Sequence, residues 1–147
     1  MNRTIPSGQS GFTLLEVLIA ISILTIGLLA VGKMQISAIK GNFMSVNTTT
    51  ALMLAEEKME DLLGRSYTDS ELSDATSSNN SDLTNLTTVD HEENVEPDGD
   101  VISGGFYRRI WNVADPGTGN AEVKRVCVIV SWEDNRHRVF ITSIKPL

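Results

Sequence analysis

Hydrophobic positions follow three regimes along the chain. From Phe12 to Gly32 they run almost unbroken, with Glu16 the only charged side chain in 21 residues. A helix of that length rises about 31 Å, close to a hydrocarbon core of about 30 Å, so this stretch predicts a membrane span. Beyond it the pattern becomes periodic. Ile36, Ile39, Phe43, Val46 and Met53 recur at helical steps, and Leu52, Ala55, Met59, Leu62 and Leu63 mark a second stripe. No proline falls between 12 and 64, which predicts one helix of about 80 Å, transmembrane over 12–32 and amphipathic over 33–64, with Gly64 as its stop.

The next stretch, 65–100, is rich in Ser, Thr, Asn and Asp and reads as a long polar loop with little apolar material and at most one short turn of helix. The period then changes to two. "GGFYRRIWNV", "EVKRVCVIVSW" and "HRVFITSI" are β-branched and aromatic, and 101–147 reads as three antiparallel strands. "EDNR" at 133–136 makes a hairpin turn, and "ADPGTGN" at 114–120 a longer loop turned by Pro116 and Gly117. The sheet needs cover for an apolar face, and the second half of the helix is the only long amphipathic element. The expected fold is therefore α+β, a long N-terminal helix packed on a small antiparallel sheet.

Charge is strongly local. Residues 56–100 hold fourteen carboxylates against Lys58 and Arg65, whereas 101–147 carry seven basic and four acidic side chains. An acidic loop makes nucleic acid a poor ligand. Six of those carboxylates lie within 90–100; oxygen ligands of this kind suit calcium, but the EF-hand spacing is missing and a solvated loop is the simpler reading. Arg108 and Arg109 face opposite sides of a strand and make no common patch. Cys127 is the single cysteine, so no intramolecular disulfide forms; within "VCVIV" it reads as a small buried hydrophobe. No nucleophile, base or metal-ligand pattern is present, and we expect neither enzyme activity nor a cofactor or metal.

The leader is unusual. An ordinary secretory signal places its small-residue cleavage site after the apolar core, whereas here Ser10 and Gly11 precede it. Cleavage at that point leaves the apolar segment in the mature protein. Arg3 and the α-amine favour a cytoplasmic leader, a bias that Lys33 and Lys40 weaken. Glu16 is the odd residue of the span, because a charge at the bilayer centre costs about 2.5–3.5 kcal/mol on insertion scales. It is either paired or a tolerated carboxylate close to the interface. Gly27 and Gly32 permit close helix approach without forming a GxxxG motif.

The segment "SGFTLLEVLIAISILTIGLLAVG" resembles the N-terminal signature of type IV pilins and type II secretion pseudopilins. The resemblance implies a leader of 1–11, cut by a prepilin peptidase between Gly11 and Phe12, and N-methylation of Phe12. It implies that Glu16 meets the new amine of a neighbouring subunit as a register mark. It also implies that Ile36, Ile39, Phe43 and Val46 pack between helices in the filament. The chain lacks both the proline in the second half of the apolar segment and the C-terminal disulfide of many major pilins. "ILTIGLLAVGKMQISAIKGN" and "ALMLAEEKMEDL" are similar to PilV-type minor pilins and, more distantly, to the I-type minor pseudopilin. The implied partners are the prepilin peptidase, other minor pilins, the major pilin and the inner-membrane assembly platform. The implied location is the inner membrane of a Gram-negative-type bacterium, then the pilus, at its tip. A single-span anchor carrying an independent binding domain is the other reading.

Overall fold

The computed structural model describes residues 11–115 and 123–147. Most of the leader and the turn at Pro116 and Gly117 lie outside the described residues. The chain divides into two compact units, Met1–Phe43 and Met44–Leu147. Helix α1 (Leu14–Gly64) runs through both.

In the first unit α1 begins two residues later than expected, because Thr13 takes the N-cap. Its Oγ1 accepts the N–H of Glu16 at 3.2 Å, and its carbonyl accepts the N–H of Val17 at 3.2 Å, meeting two of the helix's initial hydrogen-bond needs. Ser22 and Thr25 return their hydroxyls to the carbonyls of Leu18 and Ile21 at 2.8 and 2.7 Å. These two hydroxyls are thereby satisfied within the helix, as lipid requires. The stretch is long and apolar enough to cross a membrane, and none of its most apolar window is buried within the chain.

In the second unit the remainder of α1 packs on a four-stranded antiparallel sheet of order β1-β2-β3-β4: β1 (His91–Val95), β2 (Tyr107–Ala114), β3 (Val123–Trp132) and β4 (His137–Pro146). The buried helix face is Asn47, Ala51, Leu54, Ala55, Lys58, Met59 and Leu62. Leu52 and Leu63, expected in this stripe, instead stay 39% and 37% exposed. They sit about a quarter-turn off the row that advances by threes and fours from Asn47. Against this face β2 and β3 set Tyr107, Trp111, Val113, Val126, Val128, Val130 and Trp132.

The fourth strand is an addition to the three expected. β1 reads HEENV and has little strand propensity. It forms because its carboxylates meet arginines on β2: Glu92 binds Arg108, and Glu93 Oε1 accepts from Arg109 Nε at 2.7 Å. The two arginines do face opposite sides. Glu92–Arg108 lies on the outer side, whereas Arg109 is only 5% exposed beneath the helix, where it also donates to the Leu54 carbonyl at 3.2 Å. Glu93 lies 3.6 Å from Lys58 as well, so one carboxylate serves two buried cations. Lys58 further approaches Glu71 at 3.4 Å and lies over the Trp111 ring at 3.8 Å.

The polar stretch is also more structural than it reads. Leu72 is fully buried in the helix-side core. Leu83, Leu86 and Val89 cover the outer face of the sheet over Ile110, Ala114, Cys127 and Ile129. Asn112 holds this cover down, donating to the Leu83 and Asn85 carbonyls at 2.8 and 3.0 Å and accepting the Asp90 N–H at 3.0 Å. Asp82 and Asn85 each close a short turn by accepting backbone and hydroxyl donors two residues on. Those bonds to Thr84 hold the Asp82 carboxyl below its ordinary pKa.

α1 ends at Gly64 as expected. Lys145 of β4, buried at 6% exposure, donates to the Leu63 carbonyl at 2.7 Å and so satisfies a terminal acceptor of the helix with a cation. The 133–136 turn forms as read, with Glu133, Asp134 and Asn135 at positive φ. Between β1 and β2 the chain doubles back past the end of β1. A Cβ on Gly105 would stand 2.7 Å from the Val95 backbone, so only glycine fits there.

Two stability outcomes follow from these contacts. Glu93→Gln removes the carboxylate that Lys58 and Arg109 share and leaves them Glu71 at 3.4 Å and Glu57 at 3.6 Å; it is expected to destabilise by about 2 kcal/mol, against about 0.5 kcal/mol for Glu92→Gln on the exposed side. Chemical denaturation of both variants measures the difference, and equal losses would refute the buried role of Glu93. By the same assay Gly105→Ala should cost about 2 kcal/mol or more, whereas Gly64→Ala, with no atom within 4 Å of the added Cβ, should cost less than about 0.5 kcal/mol.

Candidate processing and assembly site

Gly11, Phe12 and Thr13 precede the helix, and Phe12 is 83% exposed. The Gly11–Phe12 peptide bond therefore lies in non-helical backbone, two residues before a capped helix start. Nothing stands within 4 Å of where a Gly11 Cβ would be. An endopeptidase needs non-helical, uncrowded backbone of this kind, because the scissile peptide must be freed from helix hydrogen bonds.

Glu16 occupies the first turn of α1 and is exposed. The sequence "TLLE" at 13–16 is a capping-box pattern, of which the Thr13 half is formed. A carboxylate at this place also complements the positive end of the helix dipole. Thr13 was not singled out from the sequence, although the T-x-x-E spacing before an apolar run was its signal. Glu16 has a local reason to be here in addition to any partner.

The other expected site residues lie further along α1. Ile36, Ile39, Phe43 and Val46 are 57%, 69%, 53% and 55% exposed. Met53, from the same stripe, is 64% exposed, while Ala55, Met59 and Leu62 turn to the sheet. The helix thus divides its apolar residues between an internal row that holds this chain's own sheet and an outward row that nothing among the described residues covers.

The acidic run offers less than its composition promised. Asp90 accepts from the backbone of Thr76 at 2.6 Å and of Val113 at 2.8 Å, and from Asn79 Nδ2 at 3.2 Å. Glu92 and Glu93 are held by arginines. Three of the six carboxylates therefore act as fasteners of the fold. Among the described residues no group of three or more His, Cys, Asp or Glu is placed to hold a metal ion. His91 stacks on Trp111, with centroids 5.2 Å apart, and His137 stacks on Trp132.

Residues 6–32 match the family described as the Prokaryotic N-terminal methylation motif. No curated protein matches the chain, and no solved structure does. The motif, joined to a long N-terminal helix packed on a small antiparallel sheet, supports a protein like the type IV pilins or pseudopilins. A motif of this kind implies a prepilin-peptidase substrate and is consistent with membrane anchoring through the apolar helix.

Cys127 is fully buried in the outer cluster, and burial pushes its thiol pKa up. A protonated, enclosed thiol is unreactive. Folded protein should therefore resist labelling by a polar maleimide at neutral pH and label fully in denaturant. Rapid labelling of the folded chain would contradict the enclosed position.

Proposed function

We propose that this chain is a minor type IV pilin of the PilV type, with no enzymatic activity of its own. A prepilin peptidase cuts it between Gly11 and Phe12, Phe12 is N-methylated, and the mature subunit enters the pilus at low abundance to prime or cap assembly. One observation supports the pilin-like part of the reading: the methylation motif at 6–32 spans Gly11 and an exposed Phe12 ahead of a capped apolar helix. The chemistry is coherent. Cleavage creates an ammonium on Phe12, and in a packed assembly that ammonium pairs with Glu16 of a neighbour, offsetting the burial of both charges. The outward row of Ile36, Ile39, Phe43 and Val46 then exchanges lipid or water for other helices, so apolar surface stays covered when the subunit leaves the membrane.

Filaments sheared from native cells test this by mass spectrometry. The expected result is a methylated peptide starting at Phe12, at low ratio to the major subunit, and a Glu16→Ala chain that is processed but incorporated at least about tenfold less, as loss of a buried charge partner demands. Processed protein confined to the inner membrane would assign it to a secretion pseudopilus instead. An uncut Met1 leader would refute the pilin-like reading, and normal incorporation of Glu16→Ala would refute the pairing.

A further inference from the structure

A half-open hollow of about 220 Å³ lies where the end of β1, the start of β2 and the 133–136 turn come together, walled by Asn94, Phe106, Arg108, Glu133, Asp134 and Asn135. Asn94, Arg108 and Ser131 are in register across β1, β2 and β3, so the hollow opens on the outer face of the sheet, away from α1. Its walls are held in shape. Glu133, Asp134 and Asn135 follow one another at φ 51°, 55° and 65°, a left-handed run that residues with side chains adopt only at a cost. The Arg136 N–H on the Glu133 carbonyl at 3.1 Å and the Ser131 hydroxyl on Asn135 Oδ1 at 2.7 Å lock this turn. On the opposite wall the Gly105 backbone is seated on Val95. The groups lining the hollow are not used up by the fold. Asn94 and Asp134 are exposed, and their side chains have no hydrogen-bond or ion-pair partner among the described residues. The Phe106 ring is 44% exposed and braced edge-on by Tyr107, with centroids 4.9 Å apart.

The chemistry of the lining narrows what it can hold. Arg108 is spent on Glu92 and the Leu86 carbonyl, so Glu133 and Asp134 leave the hollow weakly acidic and unsuited to an anion. A metal ion finds no group of three carboxylates or imidazoles there, and Arg108 in the same wall opposes an organic cation. An apolar ligand would desolvate amides and a carboxylate without giving them partners. A sugar ring meets every demand. Its hydroxyls both donate and accept, as the Asp134 carboxylate and the Asn94 and Asn135 amides together require, and its C–H face suits an exposed aromatic ring. Drug-sized ligands occupy about 300–1,000 Å³, so a hollow below that range admits a single ring. We propose that it binds one neutral sugar ring at the end of a glycan. Asp134 accepts from one hydroxyl, Asn94 and Asn135 donate to others, and Phe106 supports the apolar face. The surplus carboxylates turn acidic sugars away, and the locked turn keeps the ordering cost of binding low. The site stands on the hollow alone and needs no reading of the leader.

The test uses the full chain in micelles of a detergent without a sugar headgroup and reads saturation transfer from the protein to its ligand by NMR. The probes are glucose, galactose, mannose and N-acetylglucosamine, with glucuronic acid and lysine as charged counterparts. At least one neutral sugar should bind, with a Kd of about 1 mM, as a few polar contacts in a half-open site allow. Phe106→Ala and Asp134→Gly should each weaken that binding at least about tenfold. Glycine suits the left-handed backbone at 134, so Asp134→Gly removes the carboxylate without straining the turn, and an unchanged Tm verifies it. Glu60→Gln, on the exposed face of α1, should bind as the parent does. Failure of every neutral sugar to bind, binding that survives both substitutions in the hollow, or glucuronic acid or lysine bound as tightly as the best neutral sugar would overturn the proposal. Because Phe12 processing plays no part in this assay, its outcome is independent of the filament experiment.

Discussion

The globular unit depends on Glu93. Burying Lys58 and Arg109 between a helix and a sheet is unfavourable for either cation alone, and the one carboxylate reaching both comes from β1, a strand that has little other reason to exist. The same triad joins three parts of the chain distant in sequence: α1 through Lys58, β2 through Arg109, and β1 through Glu93. The Leu54 carbonyl receives Arg109 as well, which fixes the helix against the sheet at the middle of its buried row. Apolar burial supplies the driving force at this interface, and the ionic contacts set its register.

Three lysines illustrate the same economy. Lys58 lies over Trp111, Lys124 donates to the carbonyls of Tyr67 and Leu72, and Lys145 to that of Leu63. Each stem crosses apolar surface while the ammonium finds oxygen acceptors at a seam between elements. A chain without a disulfide and with a small core uses cations from the helix and sheet to tie down the acidic segment that links them.

The helix and the β2–β4 meander were legible because their signals are periodic and long: the run without proline, the alternation of Val126, Val128 and Val130, and turn residues at 133–136. The methylation motif was legible because its residues are contiguous. What was not legible depends on contacts distant in sequence. β1 exists through Arg108 and Arg109, which no local pattern in HEENV announces. Leu83, Leu86 and Val89 look like stray apolar residues in a polar loop until the outer face of the sheet is seen to need them. The assignment of Leu52 and Leu63 turned on about a quarter-turn of helix phase, finer than a stripe with mixed polar members can specify. Lys58 and Asn47 lie inside that stripe, and their presence is explained only by their partners.

Glu16 brings the local and collective arguments together. In the uncleaved chain it lies at the start of a capped helix, where a carboxylate faces the positive end of the dipole and needs no other cation. Cleavage between Gly11 and Phe12, as proposed, would add an ammonium at that same end, the wrong sign for the helix terminus. A single chain would then carry a positive charge close to its helix start and a carboxylate one turn along, both in an apolar setting. Each charge is half of a pair that a neighbouring helix can complete, and the shift along the helix between Phe12 and Glu16 would set the stagger between neighbours. The carboxylate that looked costly in an apolar span is thus tolerable before processing and, on this reading, becomes selective after it.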